Sequence, residues 1–165
     1  MRVSLRPDRL LADYRGVTPA LLREKGVRLL LCDLDYTLAP KSVKTPPEDV
    51  RAWIDHLKAA GITVMILSNN RSSRRVDDFC RQLGIDYVGH AQKPSPKGLR
   101  RAMEKAGATE GETAMLGDKL LTDVLAANLS GVTALMVEPA GGAVTAWQKV
   151  LHAMQAPFKA MARER

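Results

Sequence analysis

Aromatic residues are scarce in this chain of 165: two Trp, three Tyr and two Phe, nowhere interleaved with a basic run. Stacking of single-stranded bases needs such a platform, so nucleic acid is disfavoured as a partner. Cysteine is scarcer still. Cys32 and Cys80 lie in apolar surroundings without metal-ligand spacing, which argues against a disulfide framework and for reduced thiols in a reducing compartment. No stretch reaches the roughly 18 uninterrupted apolar residues of a spanning helix. The opening MRVSLRPDRLLADYRG is broken by charges and Pro7 and lacks the apolar centre of a signal peptide, so a cytoplasmic protein is expected. There is no G-x-x-x-x-G-K-[ST] loop, which excludes a P-loop nucleotide site. No repeat or low-complexity linker divides the chain.

What is present is a globular composition, 45% hydrophobic and 26% charged, at a length that buries the core of one domain. Five short aliphatic runs, 27–32, 62–67, 85–88, 113–116 and 132–137, read as buried parallel strands. Helical stripes lie between and after them. Val50, Trp53, Ile54 and Leu57 recur at helix spacing before Gly61, and Val76, Phe79, Cys80 and Leu83 before Gly84. Leu99, Ala102, Met103 and Ala106 form a third stripe closed by Gly107. LTDVLAANLSG is a fourth and AVTAWQKVLHAMQ a fifth. Strict alternation predicts an α/β fold, a Rossmann-like parallel sheet of about five strands with helices on both faces. Ligands of such sheets gather beyond the carboxyl ends of the strands.

Polar residues follow the strands where that rule wants them. Asp33 and Asp35 follow the first run, in D-L-D-Y-T-L. On one face of a strand, two ionised acids repel unless a divalent cation is shared between them, and hard oxygen ligands suit Mg²⁺. A carboxylate is also a competent nucleophile toward phosphorus, and a second acid can move the protons. Taken alone, a D-x-D at a strand end is more often a turn or a cap. Ser68, in ILSNN after the second run, taken alone is a helix cap, but beside a phosphate its hydroxyl and the following backbone N–H groups bind oxygens. Lys93, in the rigid loop AQKPSPKG, could neutralise charge during transfer, with Lys97 as competitor, better placed in the first turn of a helix. Gly117, Asp118 and Asp123, in GDKLLTD, put two acids at a strand-to-helix junction, where the alternative reading is again capping.

Together, D-L-D-Y-T-L at 33–38, Ser68, Lys93 and G-D-K-L-L-T-D at 117–123 resemble, in order, the four motifs of the haloacid dehalogenase (HAD) superfamily. The resemblance implies Asp33 as nucleophile and metal ligand. It implies Asp35 as general acid/base with its backbone carbonyl on the metal. Thr37, Ser68, Asn69 and Lys93 would hold phosphate, Asp118 would ligate Mg²⁺, and Asp123 would support Lys93 or a bound water. Neither the interval from Thr37 to Ser68 nor that from Ser68 to Lys93 is long enough for a cap domain. The whole chain is similar to the small capless YqeG-like phosphatases, with Tyr36 standing where that family usually has Asn. Residues 1–165 then form a single HAD-like domain: an N-terminal extension 1–26, a catalytic core 27–140, and a C-terminal helix with a basic tail, 141–165.

The implied activity is Mg²⁺-dependent phosphomonoester hydrolysis through an aspartyl-phosphate. Its substrate would be a phosphorylated small molecule or a lipid headgroup, since YqeG-like proteins are similar to phosphatidylglycerophosphate phosphatases. A non-catalytic scaffold of the same fold is the alternative, and the repelling acid pair speaks against it. The net charge of +7 fits a plain soluble protein. With Arg2, Arg6 and Arg9 at one end and Lys159, Arg163 and Arg165 at the other, it equally fits peripheral contact with an anionic membrane face. The sequence permits an oligomer and marks no interface for one.

Overall fold

The structure is a computed structural model and describes residues 3–69 and 74–139. Six strands form one sheet: β1 (Arg9–Leu11), β2 (Leu29–Cys32), β3 (Thr63–Leu67), β4 (Asp86–Val88), β5 (Thr113–Gly117) and β6 (Thr133–Val137). Their order is β1-β6-β5-β2-β3-β4 and every pairing is parallel. Helices α1 (Pro19–Glu24), α2 (Glu48–Ala59), α3 (Arg74–Leu83), α4 (Lys97–Ala106) and α5 (Leu125–Ser130) connect them.

Strand alternation divides the core into two layers. Leu30, Cys32, Val64, Ile66, Ala114 and Leu116 face one side, where they pack with Leu22 of α1 and the stripes of α2 and α3. Leu29, Leu31, Met65, Leu67, Met115 and Met136 face the other, against Leu99, Ala102 and Met103 of α4 and Ala126 and Ala127 of α5. All four residues of β2 are buried, as a central parallel strand covered on both faces requires. Each aliphatic side chain so buried contributes roughly 1.5–3 kcal/mol.

The sixth strand comes from the segment read as an N-terminal extension. Asp8 exchanges both backbone and side-chain hydrogen bonds with Ala134, at 2.8 Å each, and Leu10 and Leu11 pack on opposite core layers. Further along, the Trp53 indole N–H donates to Val17 O at 2.9 Å and Tyr14 meets the Trp53 ring edge-on at 5.1 Å. The early chain therefore docks on the domain. α4 ends at Gly107, whose φ of 65° closes the helix in the left-handed region. The helix expected over LTDVLAANLSG divides in two, a π-helical turn Leu120–Val124 followed by α5. The fifth expected helix, the basic tail and Arg2 lie outside the described residues.

β2 is the hinge of the topology. The chain runs outward from it through β3 to β4, then crosses back to place β5 on its other side. The carboxyl ends of β2 and β5 thus flank a topological switch point, where connections diverge and a crevice opens.

Candidate active site

Register delivers the acids to that crevice. Cys32 is level with Leu116 of β5 and Ile66 of β3, so Asp33, Asp118 and Ser68 emerge together at the carboxyl edge. Asp33 stays tied to the sheet through its N–H to Leu116 O at 2.9 Å. Its Oδ1 accepts from the Leu34 N–H at 2.9 Å and lies 3.5 Å from Lys93 Nζ. Among the described residues both contacts fall on Oδ1. The side chain is 13% exposed, so it is embedded yet reachable.

Lys93 arrives from the loop between β4 and α4 and is buried among acceptors. Its ammonium donates to Asp123 Oδ1 at 2.7 Å and to Leu67 O at 3.0 Å. Asp123 is also buried, and its Oδ2 accepts from the Lys119 N–H at 3.2 Å. The π-helical turn is what tucks Asp123 beneath β5. A methyl group at Gly117 would lie 2.2–2.3 Å from the Asp123 side chain, so only glycine fits there. Asp118 is 4% exposed and its Oδ1 accepts from the Thr37 hydroxyl at 3.2 Å and lies 3.7 Å from Lys119 Nζ.

One oxygen from each of Asp33, Asp118 and Asp123 lies within 4.8 Å of the others. Burial opposes all of this charge. It pushes the Asp33 carboxyl up to about 6, with Lys93 pulling it back and Asp123 adding repulsion. It pushes Asp118 up to about 7, Asp123 again adding to the rise. Burial pulls the Lys93 pKa down, but Asp123 and then Asp33 outweigh it and hold the ammonium charged. Lys93 pairs most closely with Asp123; its 3.5 Å contact with Asp33 and the 3.7 Å contact of Lys119 with Asp118 do not cancel the effect of burial on Asp33 and Asp118. Their donor set is hard, anionic oxygen, which fits a small divalent cation. The sequence put the metal on Asp33, Asp118 and the backbone of Asp35. The carboxylate that joins the first two in space is that of Asp123, already paired with Lys93.

The remaining residues divide by what they touch. Ser68 is buried at the end of β3, its backbone bridging to Val88 and Ala91 at 3.0 and 2.9 Å. The Asn69 amide is engaged on both atoms by the Lys93 backbone, at 2.8 and 3.1 Å, so it braces the lysine loop. The Asp35 carboxylate pairs with Arg75 of α3. Tyr36 adopts φ 63°, a conformation Asn tolerates and an aromatic residue seldom does. Its ring lies 5.9 Å beneath Lys119 Nζ. Lys97 begins α4 and is exposed. Arg75 and Lys119 carried no pattern that reading the sequence could single out. Arg75 resembles any charge on a solvated helix face, and Lys119 is masked by the acids on either side.

A parallel sheet with acids, a serine and a buried lysine at the ends of its central strands defines a HAD-type hydrolase. The chain belongs to the haloacid dehalogenase-like hydrolase family, whose pattern it matches over residues 6–131, and it is a phosphatase of that family. It is 35% identical over 133 residues to the Bacillus subtilis protein named "Probable phosphatase YqeG", spanning 81% of this chain and 77% of that one. It is 30% identical over 137 residues to phosphatidylglycerophosphate phosphatase 1, chloroplastic/mitochondrial, of Arabidopsis thaliana, spanning 77% of this chain but only 39% of the plant protein. In fold it is similar to 3-deoxy-D-manno-octulosonate 8-phosphate phosphatase from Moraxella catarrhalis, solved with a magnesium ion, phosphate and the sugar acid. That match has a TM-score of 0.55 at 18% identity over 87% of this chain and 97% of the other.

Proposed function

We propose that this phosphatase hydrolyses a phosphomonoester in two steps through an aspartyl-phosphate on Asp33, with Mg²⁺ held by Asp33, Asp118 and the Asp35 carbonyl. The observation that carries the proposal is the seat of Asp33. Its carboxylate is fixed at a strand end, partly reachable, between a buried ammonium and a second acid, Asp118, that burial holds well above the usual carboxylate range despite Lys119 at 3.7 Å. A bound Mg²⁺ would supply the charge that lets both carboxylates ionise and would offset the phosphoryl oxygens.

The chain's own groups account for the remaining chemistry. Asp33 attacks phosphorus while the bond to the leaving oxygen breaks, and that oxygen takes a proton from Asp35. Asp35, now a carboxylate, then takes a proton from water. The water oxygen bonds to phosphorus, the bond to Asp33 breaks and inorganic phosphate leaves. Lys93 faces the negative charge that gathers in both steps, and Asp123 keeps it aimed. Ser68 and the backbone N–H groups beyond it serve the phosphate. Thr37 and Asn69, assigned to phosphate from the sequence, act one step removed: Thr37 holds Asp118 and Asn69 holds the lysine loop.

Phosphatidylglycerophosphate is the substrate this reading favours. The plant relative carries that activity in its name, and the segments joining β2 to β3 and β3 to β4 insert no further domain among the described residues. An uncapped site accepts a headgroup still attached to its lipid. On this reading the enzyme meets lipid peripherally, with exposed basic residues such as Arg9 toward the anionic face; among the described residues no helix is long and apolar enough to cross a membrane. The experiment is phosphate release from p-nitrophenyl phosphate and from phosphatidylglycerophosphate in vesicles, with wild type and Asp33→Asn, with and without Mg²⁺. Turnover of both by wild type alone, dependent on Mg²⁺, supports the proposal. Equal rates in Asp33→Asn refute the nucleophile. Release from the soluble ester alone removes the lipid.

A further inference from the structure

Arg75 is a heavily committed side chain beside the site, and the two-step hydrolysis gives it no role. All three guanidinium nitrogens are spent on one loop, the segment that follows Asp33. Nε donates to Val43 O at 2.8 Å, Nη2 to Pro40 O at 2.9 Å, and Nη1 to the Asp35 carboxylate. Behind them the guanidinium carbon lies 4.9 Å from the centroid of the Phe79 ring, one helical turn on along α3, and Phe79 is fully buried. The stack fixes the plane of the fork and the fork fixes the loop. Arg75 and Asp35 are 18% and 20% exposed, sheltered enough for the pair to persist and open enough for substrate to reach the acid.

We propose that Arg75 is a positioning residue that aims the Asp35 carboxyl at the leaving oxygen by clamping the 35–43 loop onto α3. The proposal rests on the two-step hydrolysis described above. It follows from mechanics more than from charge. Among the described residues the segments joining β2 to β4 insert no further domain, and Arg75 grips this loop from below through two of its carbonyls. Two carbonyl contacts set the height of the loop, and the third sets the direction of the acid. A lysine would keep the charge but could not bond three acceptors in one plane, so the substitution is not conservative here.

The test uses the dependence of kcat/KM on the leaving group, because that parameter reports the first chemical step. Nitrophenolate leaves without help, whereas an alkoxide needs the proton of Asp35. Wild type, Arg75→Gln and Arg75→Lys are compared on p-nitrophenyl phosphate, phenyl phosphate and glycerol 3-phosphate, each also in an Asp35→Asn background, with thermal melts to confirm folding. Loss of an aimed general acid lowers the alkyl ester's kcat/KM by about 10²-fold, and the nitrophenyl ester's far less, so the slope against leaving-group pKa steepens in both Arg75 variants. In the Asp35→Asn background the same substitutions change kcat/KM little, because the residue acts through Asp35. An equal loss on every ester, or a loss that adds in full to that of Asp35→Asn, overturns the proposal and leaves Arg75 a purely structural clamp. If Arg75→Gln does not fold, Arg75→Lys alone decides. Absence of Asp33-dependent turnover in the wild type would instead refute the hydrolysis itself, so the two failures are distinguishable.

Discussion

The Lys93 ammonium lies 2.7 Å from Asp123 and 3.5 Å from Asp33, with its side chain 2% exposed. This cation bridges two of the three clustered acids from the protein side. A buried ion pair seldom stabilises a fold relative to apolar residues, but removing one partner strands the other.

Lys93→Met therefore costs about 3–5 kcal/mol, because Asp123 is left buried without its partner. Adding Asp123→Asn to Lys93→Met is expected to recover much of that loss, since the stranded charge goes too. Urea unfolding of the single and double variants measures both. A double variant less stable than Lys93→Met would show that Asp123 is held by something other than the pair.

A pH dependence follows from the two acids that burial raises. Asp33 and Asp118 are raised to about 6 and about 7, chiefly by burial. A raised folded pKa means that the protonated form is the one the fold accommodates. Its contribution is complete below about pH 4 and is lost as pH rises through the folded values. In chelator, the melting temperature falls between about pH 5 and pH 8 on this account, and Mg²⁺ raises it far more at pH 8 than at pH 5. A Mg²⁺ shift equal at both values, or larger at pH 5, would contradict it.

Tyr36 sets two effects against each other. The left-handed backbone costs a non-glycine residue roughly 1–2 kcal/mol, which Asn would relieve in part. Tyr36 is 9% exposed, and removing a buried aromatic side chain costs about 3–5 kcal/mol. Packing is the larger quantity, so Tyr36→Asn is expected to lower the melting temperature even though Asn suits the backbone better. It also frees Lys119 from the ring. A melting temperature above wild type would mean that the strain dominates.

Much of the site was legible because its parts are local. An aliphatic run fixes a strand, the strand fixes an edge, and Asp33, Ser68, Asp118 and Lys93 each follow a run within a few residues. The parallel sheet and four of the connecting helices could be read in the same way. What escaped depends on contacts distant in sequence. β1 is three residues long, carries exposed Arg9, and becomes a strand only because β6 offers an open edge and Asp8 locks onto Ala134. The π-helical turn that buries Asp123 has the same apolar spacing as an ordinary helix. Arg75 is separated from Asp35 by 40 positions, and nothing in RSSRRVDDF distinguishes it from Arg74.

The central claim is that Asp33 carries the phosphoryl group between the two steps. Borohydride reduces an acyl phosphate and leaves a free carboxylate intact, so enzyme quenched with borohydride during turnover records the intermediate as homoserine in place of the aspartate. Peptide mass spectrometry of protein treated during Mg²⁺-supported hydrolysis of p-nitrophenyl phosphate is expected to find homoserine at residue 33. It should be found neither at residues 35, 118 or 123 nor in enzyme quenched without substrate. Sustained turnover with an unmodified Asp33 in every quenched sample would contradict the account.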